Sequence, residues 1–149
     1  TYFDNRNSEL QSGERELRIR KIQRKGKITM LLTYKKKPFD LKSKSKEEFE
    51  IVVTDFQNTV EIIKGMGFHS YISFKKYCDN YYFEYKRCKI NVTVVRLMKL
   101  KEMFIEISTI TRTSKSVKNK FKVLYSILHL LEVNKEQLTN EYYTELVKT

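Results

Sequence analysis

Tryptophan is absent from this 149-residue chain, proline occurs once, at position 38, and glycine only four times. So few breakers, with 40% hydrophobic residues, exclude a linker-rich array or a disordered low-complexity segment. The length suits one domain with a real core and is too short for two. Cysteine is nearly absent too. Cys78 and Cys88 are too few and too far apart for a zinc knuckle or a redox pair, although a cross-hairpin disulfide between them stays open. Long apolar runs and a signal peptide are lacking, so a reducing cytoplasm is expected and no membrane partner. His69 and His129 each stand alone and read as structural or exposed.

Acidic residues are in deficit, with 18 Asp and Glu against 30 Lys and Arg, a net charge of +12. That excess favours anionic partners such as polyphosphates, nucleotides or nucleic acid, without choosing among them.

The strongest pattern runs from Glu14 to Lys35, ERELRIRKIQRKGKITMLLTYK. Period two places Arg18 and Arg20 on one face of a strand, with Leu17 and Ile19 on the other. After a turn at Lys25, Gly26 and Lys27, Leu31, Thr33 and Lys35 share one face of the returning strand, and Met30, Leu32 and Tyr34 the other. Upstream, residues 1–7 read as a short strand and residues 7–13 as a turn. Residues 36–45, KKPFDLKSKS, read as a basic loop that can fold over a nearby site as a lid.

Residues 46–53 alternate again, with Glu48, Glu50 and Val52 on one face and Phe49, Ile51 and Val53 on the other. Thr54 or Asp55 can cap a following helix carrying Phe56, Val60, Ile63 and Met66, with Gly67 as its stop. From Phe68 to Ile110 three or four more antiparallel strands are expected, with turns near Asp79, Arg87 and Lys99. The last sets Phe104, Glu106 and Ser108 opposite Ile105, Ile107 and Thr109. Ser114 or Ser116 can cap a helix with the stripe Val117, Phe121, Leu124, Leu128 and Leu131, and a second short helix would hold Leu138, Tyr142 and Leu146.

A flat sheet would turn these charged faces to water. With cations on some strands and paired acids on others, the sheet can instead curl into a barrel with compensated charges inside. Buried charges need partners, and a polyphosphate with divalent metal supplies them.

The ordered series TYFD, LRIR, LTYKKKP, SKEEFEIVV, GMGF and FIEI resembles the CYTH superfamily of triphosphate tunnel metalloenzymes. The tail LLEVNKEQLTNEYYTELV is similar to the C-terminal helices of its class IV adenylyl cyclase branch. The resemblance covers nearly the whole chain. It implies an α+β fold, an eight-stranded antiparallel β-barrel with flanking helices, whose tunnel binds a triphosphate with Mg2+ or Mn2+. The family's opening strand, E-x-E-x-K, is absent, so that strand is expected to lie outside this sequence or to have been lost.

By position, Arg18, Arg20 and Lys35 would grip phosphate, as would Lys46, which stands where the family usually has Arg and lacks the bidentate fork. Glu48, Glu50 and Glu106 would ligate metal. Lys76 matches the Lys of the family's K-x-R-x-x-Y run, with Tyr81 as a substrate contact; an alternative register uses Lys75. In the Lys76 register Cys78 replaces the Arg, no acid stands near Val95 and Arg96, and Ser108 replaces the second Glu of EIE. The resemblance thus implies conversion of ATP to cyclic AMP and pyrophosphate, or hydrolysis of tripolyphosphate, thiamine triphosphate or an RNA 5′-triphosphate. Loss of family acids favours a third reading, a non-catalytic nucleotide or polyphosphate binder. RNA is a weaker candidate partner, with Tyr and Phe as stacking platforms, and a homodimer is a family expectation.

Overall fold

The structure is a computed structural model that describes residues 1–40, 44–98, 100–111 and 116–148. The chain divides into two compact units, Thr1–Ser73 and Phe74–Thr149.

In the first unit the Glu14–Lys35 pattern forms the expected hairpin, β2 (Glu16–Arg24) and β3 (Lys27–Lys35). Its two-residue turn places Lys25 and Gly26 at φ 47° and 78°, the twist that tight hairpins favour. Strand β1 (Tyr2–Asp4) pairs with β2, β4 (Glu48–Val53) pairs with β3, and β5 (His69–Ile72) pairs with β1. The sheet order is β4-β3-β2-β1-β5, antiparallel throughout.

Helix α2 (Phe56–Gly65) starts where Asp55 accepts the Asn58 backbone N–H, and Gly67 follows its end at φ 90°. Its Ile63 joins Phe3 and Ile19 in a fully buried cluster, with Leu17, Leu32, Val60 and Phe68 packed around it. Burying each such side chain is worth about 1.5–3 kcal/mol. The face bearing Leu17 and Ile19 is therefore the one α2 covers, and strand alternation sends Arg18 and Arg20 to the other.

Residues 7–13 are a corrected expectation, since Glu9–Ser12 form a short helix, α1. Asn5 Oδ1 accepts the Glu9 N–H, and the Asp4 carboxylate accepts the N–H groups of Leu10 and Gln11, so two polar side chains turn the backbone helical. In the basic loop Asp40 and Ser45 form an isolated bridge, and residues 41–43 lie outside the described residues.

The second unit holds β6 (Lys76–Tyr85), β7 (Cys88–Leu97) and β8 (Met103–Thr109), in the order β6-β7-β8. Arg87 lies in the β6–β7 turn as expected, but Asp79 is mid-strand, paired with Val94. The expected turn at Lys99 and the cap at Ser114 lie outside the described residues. Helix α3 (Val117–Leu130) packs against β8, and Ile127 is its buried residue. Ser116 stands at its N-terminus without a side-chain capping bond. The expected second helix is two shorter pieces, a 3-10 turn at Lys135–Gln137 and α4 (Tyr143–Leu146), with Leu138 extended between them.

Cys78 faces Val95 and Cys88 faces Tyr85, at opposite ends of the β6–β7 ladder. That spacing, roughly 24 Å along the strand, rules out the cross-hairpin disulfide. All eight strands pair in a five-stranded and a three-stranded sheet, and among the described residues no ladder closes them into a barrel. Each sheet compensates its charges by cross-strand pairs, so alternating charge does not by itself demand closure.

Candidate functional site

The face of the first sheet opposite α2 is a grid set by strand register. Glu16, Lys35 and Glu48 form one row across β2, β3 and β4; Tyr2, Arg18, Thr33 and Glu50 form the next, from β1 to β4. Arg20 follows two residues along β2. Opposite charges thus face one another across the strands, while β2 carries Arg18 and Arg20 in succession and β4 carries Glu48 and Glu50.

Arg18 is the hub. It is 9% exposed and lies 2.8 Å from Glu16 and 3.8 Å from Glu48, while its Nη1 donates to the Tyr2 hydroxyl at 3.2 Å. Burial alone would lower its pKa, but Glu16, Tyr2 and Glu48 outweigh burial and raise it, so the guanidinium stays charged. Burial pushes the Tyr2 hydroxyl pKa up. Lys35 sits 3.3 Å from Glu48, and Arg20 pairs with Glu50.

Thr33 is fully buried and donates its hydroxyl to Glu50 at 2.8 Å. Burial pushes the Glu50 carboxyl up, but the bonds from Thr33 and Arg20 exceed that and hold it below its ordinary value. Lys46 is held low by burial, with Glu16 opposing and Lys35 adding to the shift. The Nε atoms of Arg18 and Arg20 are buried without a hydrogen-bond acceptor. An unmet guanidinium donor is costly and suits a ligand rich in acceptor oxygens.

In the second unit, Lys76 lies 3.3 Å from Glu106 and 4.9 Å over the Tyr143 ring, which packs edge-on against Phe104 at 5.5 Å. Thr93, nearly buried, donates to Asn80 at 2.9 Å in the row Asn80, Thr93, Glu106. The alternative Lys75 lies over Tyr77 instead, at 5.8 Å. Tyr81 is on the face of β6 opposite Lys76 and is 57% exposed, so the structure does not bring it to the Lys76–Glu106 pair.

Arg18, Arg20, Lys35, Lys46, Glu48 and Glu50 therefore come together in the first unit, and Lys76 with Glu106 in the second. Sequence reasoning missed Glu16, Tyr2, Thr33 and Tyr143. Glu16 was legible as the start of the alternation Glu16, Arg18, Arg20; Tyr143 carried no signal.

The family model for the CYTH domain matches residues 1–143. The chain belongs to the CYTH family. CYTH domains bind triphosphates and are in general metal-dependent. This CYTH chain is similar to a protein of Pyrococcus horikoshii OT3, with 27% identity and TM-score 0.87, covering 98% of this chain and 80% of that one. A conserved hypothetical protein of Pyrococcus furiosus has 21% identity and TM-score 0.67, over 97% and 78%. A protein of Bacillus halodurans named as a candidate adenylate cyclase has 12% identity and TM-score 0.58, over 95% and 76%. The last two show the fold alone. No curated protein matches the sequence. No helix among the described residues is long and apolar enough to cross a membrane.

Proposed function

We propose that this CYTH protein grips a triphosphate with Arg18, Arg20, Lys35 and Lys46 and converts ATP to cyclic AMP and pyrophosphate with a divalent cation. The observation that carries the reading is the grid itself, with Arg18, Arg20 and Lys35 on one sheet face and two guanidinium donors unmet. Triphosphate oxygens can replace Glu16, Glu48 and Glu50 as partners of these cations, exchanging one set of charge-assisted bonds for another. Cyclisation is favoured over other triphosphate chemistry by the tail's similarity to the class IV cyclase branch.

The donor set suits a hard cation. Glu48 and Glu50 offer carboxylate oxygens from one face of one strand, and Mg2+ is usually held by one or two carboxylates plus substrate phosphates. Bound there, Mg2+ or Mn2+ would neutralise charge at the α-phosphate and favour loss of the ribose 3′ proton. The 3′ oxygen would attack the α-phosphorus as its bond to pyrophosphate breaks. Arg18, Arg20 and Lys35 would stabilise the negative charge on that leaving group. Lys76 as a phosphate contact, Tyr81 as a substrate contact and Glu106 as a metal ligand rest on the resemblance.

A non-catalytic triphosphate binder is the second reading. It is favoured by cation partners on Glu48, Glu50 and Glu106, and by the lack, among the described residues, of three His, Cys, Asp or Glu placed to hold a metal. Incubation with ATP, and separately with tripolyphosphate, in Mg2+ or Mn2+ tests both. Cyclic AMP lost in a Glu48→Gln, Glu50→Gln double variant supports cyclisation. Phosphate release alone points to a triphosphatase, and binding without either product to the binder.

A further inference from the structure

The β6–β7 hairpin presents a turn and a set of aromatic side chains that the charged grid leaves unused. Its two turn residues, Lys86 and Arg87, both lie in the left-handed region, at φ 47° and 60°. Such turns favour Asn-Gly or Asp-Gly because a Cβ is strained at positive φ. The β2–β3 turn has Gly26 at its second position. The β6–β7 turn has two cations and no glycine, and backbone strain of this kind clusters at functional positions.

Beside the turn, Tyr81, Tyr82 and Phe83 of edge strand β6 are 57%, 66% and 42% exposed. Tyr81 and Phe83 share one face, about 7 Å apart, and Tyr82 takes the other. Residues 81–90 carry three cations, Lys86, Arg87 and Lys89, and one acid, Glu84. Lys86 lies 5.1 Å over the Tyr85 ring. Exposed rings interleaved with cations suit a partner that offers flat apolar faces and negative charge together. A second copy of this chain would bring +12 against +12.

We propose that the β6–β7 hairpin binds single-stranded nucleic acid, its bases stacking on Tyr81 and Phe83 of one face and its phosphates meeting Lys86 and Arg87. The proposal is independent of the reading given to the first unit's charged face.

Fluorescence anisotropy of labelled oligo(U) and oligo(dT) with the full chain, at about 50 mM and about 200 mM salt, is the test. Both probes should bind, more weakly at the higher salt. In the Lys86→Asn, Arg87→Gly variant the turn is relieved, so the melting temperature should rise while affinity falls about five-fold or more. The slope of log K against log salt should flatten by about 1.4, or two phosphates at ~0.7 each. A Tyr81→Ala, Phe83→Ala variant, confirmed folded by its melting curve, should lose about ten-fold or more. The proposal is overturned if neither probe binds at the lower salt or if both variants bind like the parent. It is overturned equally if phosphatidylserine vesicles alone are captured, or if β6 instead mediates self-association that Tyr82→Ala abolishes.

Discussion

Thr33 and Glu50 face each other across β3 and β4, and the buried Thr33 hydroxyl donates to the Glu50 carboxylate at 2.8 Å. Arg20 meets the same oxygen, so one acid of the grid is fixed from two sides. In the proposed reading, an ionised Glu50 would be available to a cation once phosphate takes the arginine.

Thr33→Val keeps the shape and removes that hydroxyl. The Glu50 carboxyl should then titrate at higher pH, and the acid limb of ATP turnover should move up with it. Stability should fall by about 1 kcal/mol in urea denaturation. Thr33→Ser should restore the limb; an unchanged pH profile in Thr33→Val would remove Thr33 from any role in setting Glu50.

Arg18→Ala should destabilise the fold by about 3–5 kcal/mol, because it leaves Glu16, 2.8 Å away and mostly buried, without its partner. Adding Glu16→Ala should recover much of that loss, as a double-mutant cycle in denaturant would measure. Triphosphate affinity should fall in both variants, since the fork proposed to grip phosphate is gone from each.

Asp4 gives the chain an acid-sensitive point. Burial pushes its carboxyl up, but N–H groups from Leu10, Gln11 and Asn5 together hold it below the ordinary value. A depressed carboxyl stabilises the fold above its unfolded value, about pH 4, and that contribution is lost as pH falls through the folded value. Asp4→Asn should be less stable at neutral pH by about 1–3 kcal/mol. Its stability should also change less between neutral pH and about pH 3, as thermal melts across that range would record.

Chelation separates binding from turnover. With EDTA present, ATP should still bind to Arg18, Arg20 and Lys35, measured by calorimetry, while cyclic AMP formation stops. Persistence of product in EDTA would contradict the metal-dependent reading.

Ile63→Ala removes a fully buried side chain where α2 meets Phe3 and Ile19. A loss of about 2–5 kcal/mol is expected. Isolated melting of the first unit, followed by hydrogen exchange in β2 and β3, would place that loss.

Period-two alternation by itself determined the β2–β3 hairpin, the acidic face of β4 and the split of Phe104, Glu106 and Ser108 from Ile105 and Ile107, because a strand fixes side-chain direction residue by residue. Thr54 or Asp55, with Gly67, likewise delimited α2 through local capping chemistry, and the structure chose Asp55. The ordered motifs sufficed for the family. Tertiary structure decided the rest. Which residue stands opposite which depends on register, so the pairing of Arg20 with Glu50 and of Thr33 with Glu50 was not legible in one strand at a time. The helix at Glu9–Ser12 needed Asp4, which acts from outside the segment it turns. Tyr81 and Lys76 lie five positions apart, an odd number in a strand that runs unbroken through Asp79, and that continuity put them on opposite faces. The partition into sheets of five and three strands was likewise set by hydrogen bonds between strands, which carry no periodic mark in the sequence.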